Sequence, residues 1–227
     1  MDWNADGAID LLAGDSEGQV WFFANVGTRD APVLAAGVRV EAAGQPIRGE
    51  QKTYREVDGK LEVDSVVPGN HPLARIYSKI HAADWNGDER LDLLVGGDAE
   101  VLFYANRGTE GEPRLAEPIP IVPPDGIFPS RPSPTVVDFD GDWTPDLLLG
   151  TERAEVWFYR NEGTAEEPRL APGRKLDLAG EGFAAGYRCR ADVVDWDGDG
   201  ILDLLVGNFF SGPDAPMGGN VWFFRGE

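Results

Sequence analysis

Short apolar runs alternate with acidic turns along this chain, and the same order of segments returns four times. An acidic stretch leads into an apolar run such as "LDLLVG" (91–96). A second run follows: "QVWFFAN" (19–25), "EVLFYAN" (100–106), "EVWFYRN" (155–161) and "NVWFFRG" (220–226). Both kinds of run are rich in Val, Leu, Trp and Phe and are bounded by Gly, Asn and Asp, which predicts strands. A further strand is predicted before each loop, in "SKIHAADW", "PTVVDFD" and "CRADVVDW", and another further on, in "GVRVEA" and "GRKLDLAG". Helical periodicity of any length is absent. In "VWFF" both faces are apolar, whereas a sheet with one wet face would alternate, so these sheets are expected to be covered on both sides.

Three copies continue in register through "NVGTRDAPVL", "NRGTEGEPRL" and "NEGTAEEPRL". Short β units recurring about every 50 residues, each between neighbours, predict an all-β chain folded as a β-propeller of about four blades. The whole of 1–227 reads as one such domain, with repeats at approximately 1–44, 76–116, 134–180 and 188–227. The insertions are 45–75, 117–133 and 208–219. The first contains "YREVDGKLEV" (54–63), a hairpin signal with Asp58-Gly59 at its turn. The second lies in a stretch with seven prolines between 117 and 134 and reads as a stiff, extended loop. The third lengthens the last repeat between its two central strands. The strand count gives four strands to the second and third repeats. The first lacks the strand before its loop and the fourth lacks the one after "VWFFRGE".

Each repeat opens on an acidic loop: "DWNADGAID", "DWNGDERLD", "DFDGDWTPD" and "DWDGDGILD", starting at Asp2, Asp84, Asp138 and Asp195. Numbered from the first Asp, oxygen-bearing side chains fall at positions 1, 3, 5 and 9. They are Asp2, Asn4, Asp6 and Asp10; Asp84, Asn86, Asp88 and Asp92; Asp138, Asp140, Asp142 and Asp146; and Asp195, Asp197, Asp199 and Asp203. A hard cation such as Ca²⁺ takes about six to eight oxygens at ~2.3–2.6 Å. Alternate positions in a tight turn can converge on one ion, with a main-chain carbonyl at position 7 (Ala8, Arg90, Thr144, Ile201) and water completing the shell. Empty, the carboxylates repel one another; around a divalent ion they converge usefully, which explains their crowding at the mouth of a buried strand. Up to four Ca²⁺ ions are therefore expected. Mg²⁺ demands stricter octahedral geometry, and Zn²⁺ prefers His or Cys. The spacing is like the first nine positions of an EF-hand, without its glutamate at position 12 or its flanking helices. Position 6 is Gly7 and Gly200 in the outer loops but Glu89 and Trp143 in the inner two, so a positive φ there would strain those loops or bend them differently.

A net charge of −20 argues against a nucleic-acid partner, whose phosphates would be repelled. No apolar stretch approaches the roughly 18 residues of a membrane span. Cys189 is the single cysteine, which precludes an internal disulfide and reads as a buried, inert thiol. No signal peptide precedes the first loop; a mature, cut or fragmentary chain would look the same. Met1 stands within one residue of a candidate ligand, an odd natural start, and a fragment of a longer propeller is the expectation.

"DWDGDGILDLLVG", "GNVWFF" and the "NxGTxxxP" element together resemble the FG-GAP/VCBS repeat family, found in integrin α-subunit heads and in many secreted bacterial proteins. The resemblance covers the four units. It implies a β-propeller, usually seven-bladed, with Ca²⁺ in the blade loops and an extracellular, cell-surface or periplasmic setting; four units fall short of the usual ring. The function expected is a calcium-binding recognition, adhesion or scaffolding module for a protein or glycan ligand, with further blades or a second copy of the chain as partner. The competing reading is a polysaccharide-degrading enzyme, lyase or hydrolase, or its carbohydrate-binding accessory domain. An enzyme needs convergent acid, base and positioning groups, and no such set is visible outside the loops, whose candidate ligand positions hold fourteen of the forty acidic residues.

Trp3, Trp85 and Trp196 share loop position 2, and Trp21, Trp157 and Trp222 share one strand position; this regularity reads as packing, with sugar stacking as the alternative. Trp143 breaks register and is the better candidate for exposure, though its role still reads as structural. His71 and His81 lie near no nucleophile motif, so a His-based triad has no support. Arg48, Lys52, Arg55 and Lys60 cluster in the first insertion, read as a solvated hairpin that an acidic glycan could alternatively contact.

Overall fold

The apolar runs pair as antiparallel strands in four small sheets, one per repeat. The structure, a computed structural model, describes residues 1–57, 60–68, 76–109, 111–124, 126, 128–178, 186–212 and 215–226. The first sheet has the order β1 (Leu11–Gly14), β2 (Val20–Phe23), β3 (Val38–Arg39). Two hairpins follow, β4 (Glu41–Ala42) with β5 (Gln45–Pro46), and β6 (Glu50–Val57) with β7 (Lys60–Pro68). The second sheet contains β8 (Lys79–Ala83), β9 (Asp92–Gly96), β10 (Val101–Tyr104) and β11 (Ile119–Ile121), in sequential order. The third contains β12 (Ser133–Val137), β13 (Asp146–Gly150), β14 (Val156–Tyr159) and β15 (Arg174–Lys175), again sequential. The fourth is β16 (Tyr187–Val194), β17 (Asp203–Gly212) and β18 (Ala215–Phe224). Among the described residues the chain is all-β, and no helix is long and apolar enough to cross a membrane. The sheets thus hold three, four, four and three strands, as the repeat count predicts.

The insertions differ from one another. In the first, β6 and β7 pair from Glu50↔Pro68 to Val57↔Lys60, a hairpin as expected; its turn residues Asp58 and Gly59, and His71, lie outside the described residues. Lys52 and Arg55 in this hairpin pair with Glu100 and Asp64, so part of the basic cluster is internally neutralised. The second insertion is not wholly a loop. Ile119–Ile121 pairs with β10 as the outer strand of the second sheet, with Leu102 opposite Pro120. Proline fits there because an edge strand leaves one row of its N–H positions without a partner. The third insertion prolongs β17 and β18, with Asn208 opposite Asn220 and Phe210 opposite Gly218.

Met1–Ile121 and Val122–Glu227 form two compact units. In the first unit Val20 and Trp3 pack with Leu93, Val95 and Tyr104 of the second sheet. In the second unit Leu148, Val156 and Phe158 pack with Cys189, Ala191 and Val206 of the fourth. The joint is built alike in both. Gly14 and Gly150 end equivalent strands, and a β-carbon there would stand 2.2 Å from the Ser78 carbonyl oxygen and 2.4 Å from that of Cys189. Backbone N–H groups at the start of the next sheet's first strand close the contact, from Ser78, just before β8, to the Asp15 carbonyl (3.0 Å) and from Cys189 of β16 to that of Thr151 (2.8 Å). Only glycine allows the backbones to approach this closely.

The inner strands β9 and β13 are buried throughout, as the two-faced apolar pattern predicts. The outermost positions behave differently. Val20, Val101 and Val156 are completely buried, whereas Val221 at the same repeat position is 77% exposed. Leu11 is likewise exposed where Leu93 and Leu147 are fully buried. Burial of one sheet's face therefore depends on a neighbouring repeat.

Cys189 sits in the joint of the second unit, 2% exposed, and burial pushes its thiol up to about 12. Since the thiolate is the reactive form, maleimide should leave Cys189 unmodified in the native chain and label it fully in denaturant. Rapid labelling of native protein would contradict this packing.

Candidate metal sites

All four acidic loops adopt one turn, wound around the carboxylate at position 1. Asp2 accepts the N–H groups of Asp6 (3.1 Å) and Gly7 (2.8 Å). Asp84 accepts those of Asp88 and Glu89, Asp138 those of Asp142 and Trp143, and Asp195 those of Asp199 and Gly200. The carboxylate at position 5 accepts the N–H of position 7 in every loop: Ala8, Arg90, Thr144 and Ile201. At position 3, Asn4, Asn86 and Asp197 accept the N–H of position 5 through one side-chain oxygen. Asp140 faces an arginine instead.

The turn requires positive φ at two places. Position 6 has φ of 90° at Gly7, 64° at Glu89, 67° at Trp143 and 87° at Gly200, so the inner loops keep the common bend and carry strain. Position 4 is also left-handed, at Ala5 (54°), Gly87, Gly141 and Gly198. The first three loops thus each hold one non-glycine residue in a conformation that costs about 1 kcal/mol or more. The fourth alone has glycine at both places.

Position 9 joins loop to sheet. One oxygen of Asp10, Asp92, Asp146 and Asp203 accepts the N–H of position 2: Trp3 (2.9 Å), Trp85 (3.2 Å), Phe139 (3.1 Å) and Trp196 (2.8 Å). The other accepts an N–H just beyond the second strand: Asn25 (2.8 Å), Asn106 (2.7 Å), Asn161 (2.8 Å) and Gly226 (3.0 Å). Asn25, Asn106 and Asn161 open the "NxGT" element. Each is buried, and its side-chain oxygen closes that loop by accepting two N–H groups, as Asn161 does from Gly163 and Arg169. Acidic loop and "NxGT" element are therefore one hydrogen-bonded unit, which accounts for their constant register. Burial pushes the Asp92 carboxyl up to about 6 and raises that of Asp146 as well, against the opposing pull of their N–H donors. Asp203 is held below the usual range, chiefly by the Gly226 N–H.

Carboxylate oxygens converge in the second, third and fourth loops. Carboxylate oxygens of Asp84, Asp88 and Asp92, of Asp138, Asp140 and Asp146, and of Asp195, Asp197 and Asp199 lie within 4.8 Å of one another. Two donors on opposite sides of a Ca²⁺ ion at ~2.4 Å stand about 4.8 Å apart, so this spacing suits that ion. The hydrogen bonds do not use up the donors, because an ionised carboxylate offers about four lone-pair sites. Oxygen-only chemistry and the spacing both fit a hard divalent cation. Among the predicted position-7 ligands, Arg90 adds a cationic side chain that pairs with Asp88 and donates from Nε to the Asn106 carbonyl (2.8 Å).

Two residues absent from the sequence reading also reach the loops. Arg160 donates from Nε to Asp140 (2.7 Å) and from a terminal nitrogen to Asp142 (2.9 Å). Arg225 makes the same pair of bonds to Asp197 (2.9 Å) and Asp199 (2.8 Å). The Arg160 guanidinium is the chief cause that holds Asp142 below its ordinary range. At Asp199 the Ile201 N–H contributes most and Arg225 next. The sequence signal was present: arginine follows "VWFY" and "VWFF" in these repeats, where the first two have alanine.

The tryptophans at loop position 2 divide. Trp3 and Trp85 are buried as expected, but Trp196 is exposed, on the repeat whose Val221 is also bare. Trp143 is 93% exposed, as its break in register predicts. His81 lies within β8, opposite Leu94.

Four β-sheets of repeated sequence, each entered through a turn of converging side-chain oxygens, define an all-β repeat protein with acidic interblock loops. Residues 84–149 and 138–206 match the model of the FG-GAP-like repeat, and the chain belongs to that family. Cartilage acidic protein 1 of Mus musculus is 25% identical, and that of Homo sapiens 27%, each over 95% of this chain and 29% of its own length. Integrin alpha-4 of Xenopus laevis is 27% identical over 57% of this chain and 14% of its own. The chain thus spans less than a third of the curated relatives it matches.

Proposed function

We propose that the four repeats are consecutive blades of a calcium-stabilised β-propeller that acts outside the cytoplasm as a recognition, adhesion or scaffolding module. The observation that carries the reading is the convergence of carboxylate oxygens within 4.8 Å in three of the loops, on a turn that all four share. Ca²⁺ would bind the side chains at positions 1, 3, 5 and 9 and draw each acidic turn onto its sheet. The relatives' names, a cartilage protein and an integrin α chain, support an extracellular setting. A further repeat, in the same polypeptide or in a second copy, would cover the bare Val221 face. The protein or glycan ligand would meet the exposed rim, where Trp143 stands in a strained conformation with its ring in solvent.

Calorimetric titration tests the metal directly. Ca²⁺ should bind with Kd of about 0.1–1 mM, the range of extracellular calcium modules, and Mg²⁺ should bind more weakly. Absence of binding heat for Ca²⁺ at millimolar concentration, with no terbium luminescence sensitised by the loop tryptophans, would sink the reading.

A further inference from the structure

The loops are of two kinds, and the difference is correlated across the repeats. Where position 3 is asparagine, as at Asn4 and Asn86, the residue after the second strand is Ala24 or Ala105. Where position 3 is aspartate, as at Asp140 and Asp197, that residue is Arg160 or Arg225. The structure explains the pairing, because each Nε lies on the position-3 carboxylate and a terminal nitrogen on the position-5 carboxylate of the same loop. An aspartate–arginine loop and an asparagine–alanine loop therefore carry the same sum of charge from these positions. The extra carboxylate arrives together with its own cation.

We propose that Arg160 and Arg225 are resident counter-cations, which hold the four-carboxylate loops together without metal and set the affinity with which those loops take Ca²⁺. The proposal rests on the reading of the loops as calcium sites. A guanidinium bridging two carboxylates satisfies them with charge-assisted bonds and fixes their separation. These carboxylates are also candidate ligands to the ion, and Asp140, Asp197 and Asp199 belong to the converging groups, so an arriving Ca²⁺ must either displace the guanidinium or bind beside a like charge. Either route weakens metal binding, while the arginine steadies the loop whenever metal is absent. The asparagine–alanine loops have one carboxylate fewer; in the second of them Arg90 reaches Asp88 alone and bridges no second carboxylate.

The test is a double-substitution cycle run at the third and fourth loops together, leaving the first two loops as internal controls. Arg160→Ala with Arg225→Ala should tighten Ca²⁺ binding at two sites by about three- to tenfold, the scale of one or two partly exposed ion pairs. The same variant should melt at a lower temperature in chelator. Asp140→Asn with Asp197→Asn should weaken those two sites by a similar factor. All four changes together convert the loops to the asparagine–alanine kind, and affinity should return to within about twofold of the parent. A merely structural arginine would lower both affinity and stability, so the opposed signs are the decisive readout. Unchanged or weaker Ca²⁺ binding in the arginine variants, with the parent still binding, overturns the proposal and leaves the calcium reading standing. No Ca²⁺ binding by the parent or any variant, each shown folded by its cooperative melt, overturns the calcium reading instead and the proposal with it. Grafting Ala24→Arg together with Asn4→Asp into the first loop should leave its affinity near the parent's, while Ala24→Arg alone should weaken it.

Discussion

Asp146→Ala is expected to destabilise the second unit by about 2–4 kcal/mol in chelator, the loss typical of leaving two N–H donors, one buried and one half-buried, without their acceptor. Asp146 is fully buried, and its two oxygens accept the N–H groups of Phe139 and Asn161. Without the carboxylate, both donors remain inside the protein with no acceptor. Burial also disfavours the ionised form of Asp146, so removing its charge returns part of the loss. The two orphaned donors outweigh that return, since the Asn161 bond is buried and the Phe139 bond half-buried. Asp140→Ala gives the contrast. Asp140 is partly exposed and bonds to Arg160, so its loss in chelator should cost only about 0–1 kcal/mol, the value of a surface ion pair. Thermal melts of the two variants in EDTA measure the difference. Equal losses would show that the position-9 aspartate is only another loop carboxylate, and not the bond between loop and sheet.

The strands and acidic turns were legible because both repeat: one motif fixes the register of four. Apolar faces on both sides of "VWFF" called for sheets covered on two sides, and the second and third sheets have fully buried inner strands. What one repeat hides, comparison between repeats also reveals. The left-handed position 4 is glycine in three loops, and that regularity was as readable as position 6, but Ala5 obscures it in the first. The correlation of position 3 with Arg160 and Arg225 is likewise written in the sequence, though only their contacts give it meaning.

Other features depend on neighbours and no local pattern holds them. Trp196 shares its place with Trp3 and Trp85, yet it is exposed, because burial there is decided by what packs beside the repeat. The outer strand at Ile119–Ile121 was concealed by its prolines, which an edge strand accepts and an inner one does not. The division into Met1–Ile121 and Val122–Glu227 falls within the proline-rich insertion between the second and third repeats, which the repeat count alone does not mark as a boundary. It changes how the calcium reading should be tested, since each unit contains two loops.

Chelation is expected to lower stability in both units, and more steeply in the first. With ~2 mM free Ca²⁺ and a Kd of ~0.1 mM, one site adds about 1.8 kcal/mol through linkage. Two sites per unit would add about 3.6 kcal/mol, a large part of the ~5–15 kcal/mol that holds a typical domain folded. For a unit of this size that corresponds to a fall in melting temperature of about 10–20 °C on removal of the ion. The units differ in what remains afterwards. Both loops of the second unit keep an arginine across their carboxylates. In the first unit Arg90 reaches Asp88, while the loop of Asp2, Asn4 and Asp6 has an alanine, Ala24, where the later repeats place arginine. Its carboxylates have the most to gain from a metal ion. Cys189 distinguishes the units, since its labelling reports opening of the second alone. Heating in excess EDTA should therefore give a calorimetric transition that precedes Cys189 labelling, and Ca²⁺ should move that first transition furthest. An unchanged melt after confirmed metal removal would exclude calcium as a stabilising ligand. A larger shift in the labelling transition than in the first would show that the arginines do not stand in for the metal.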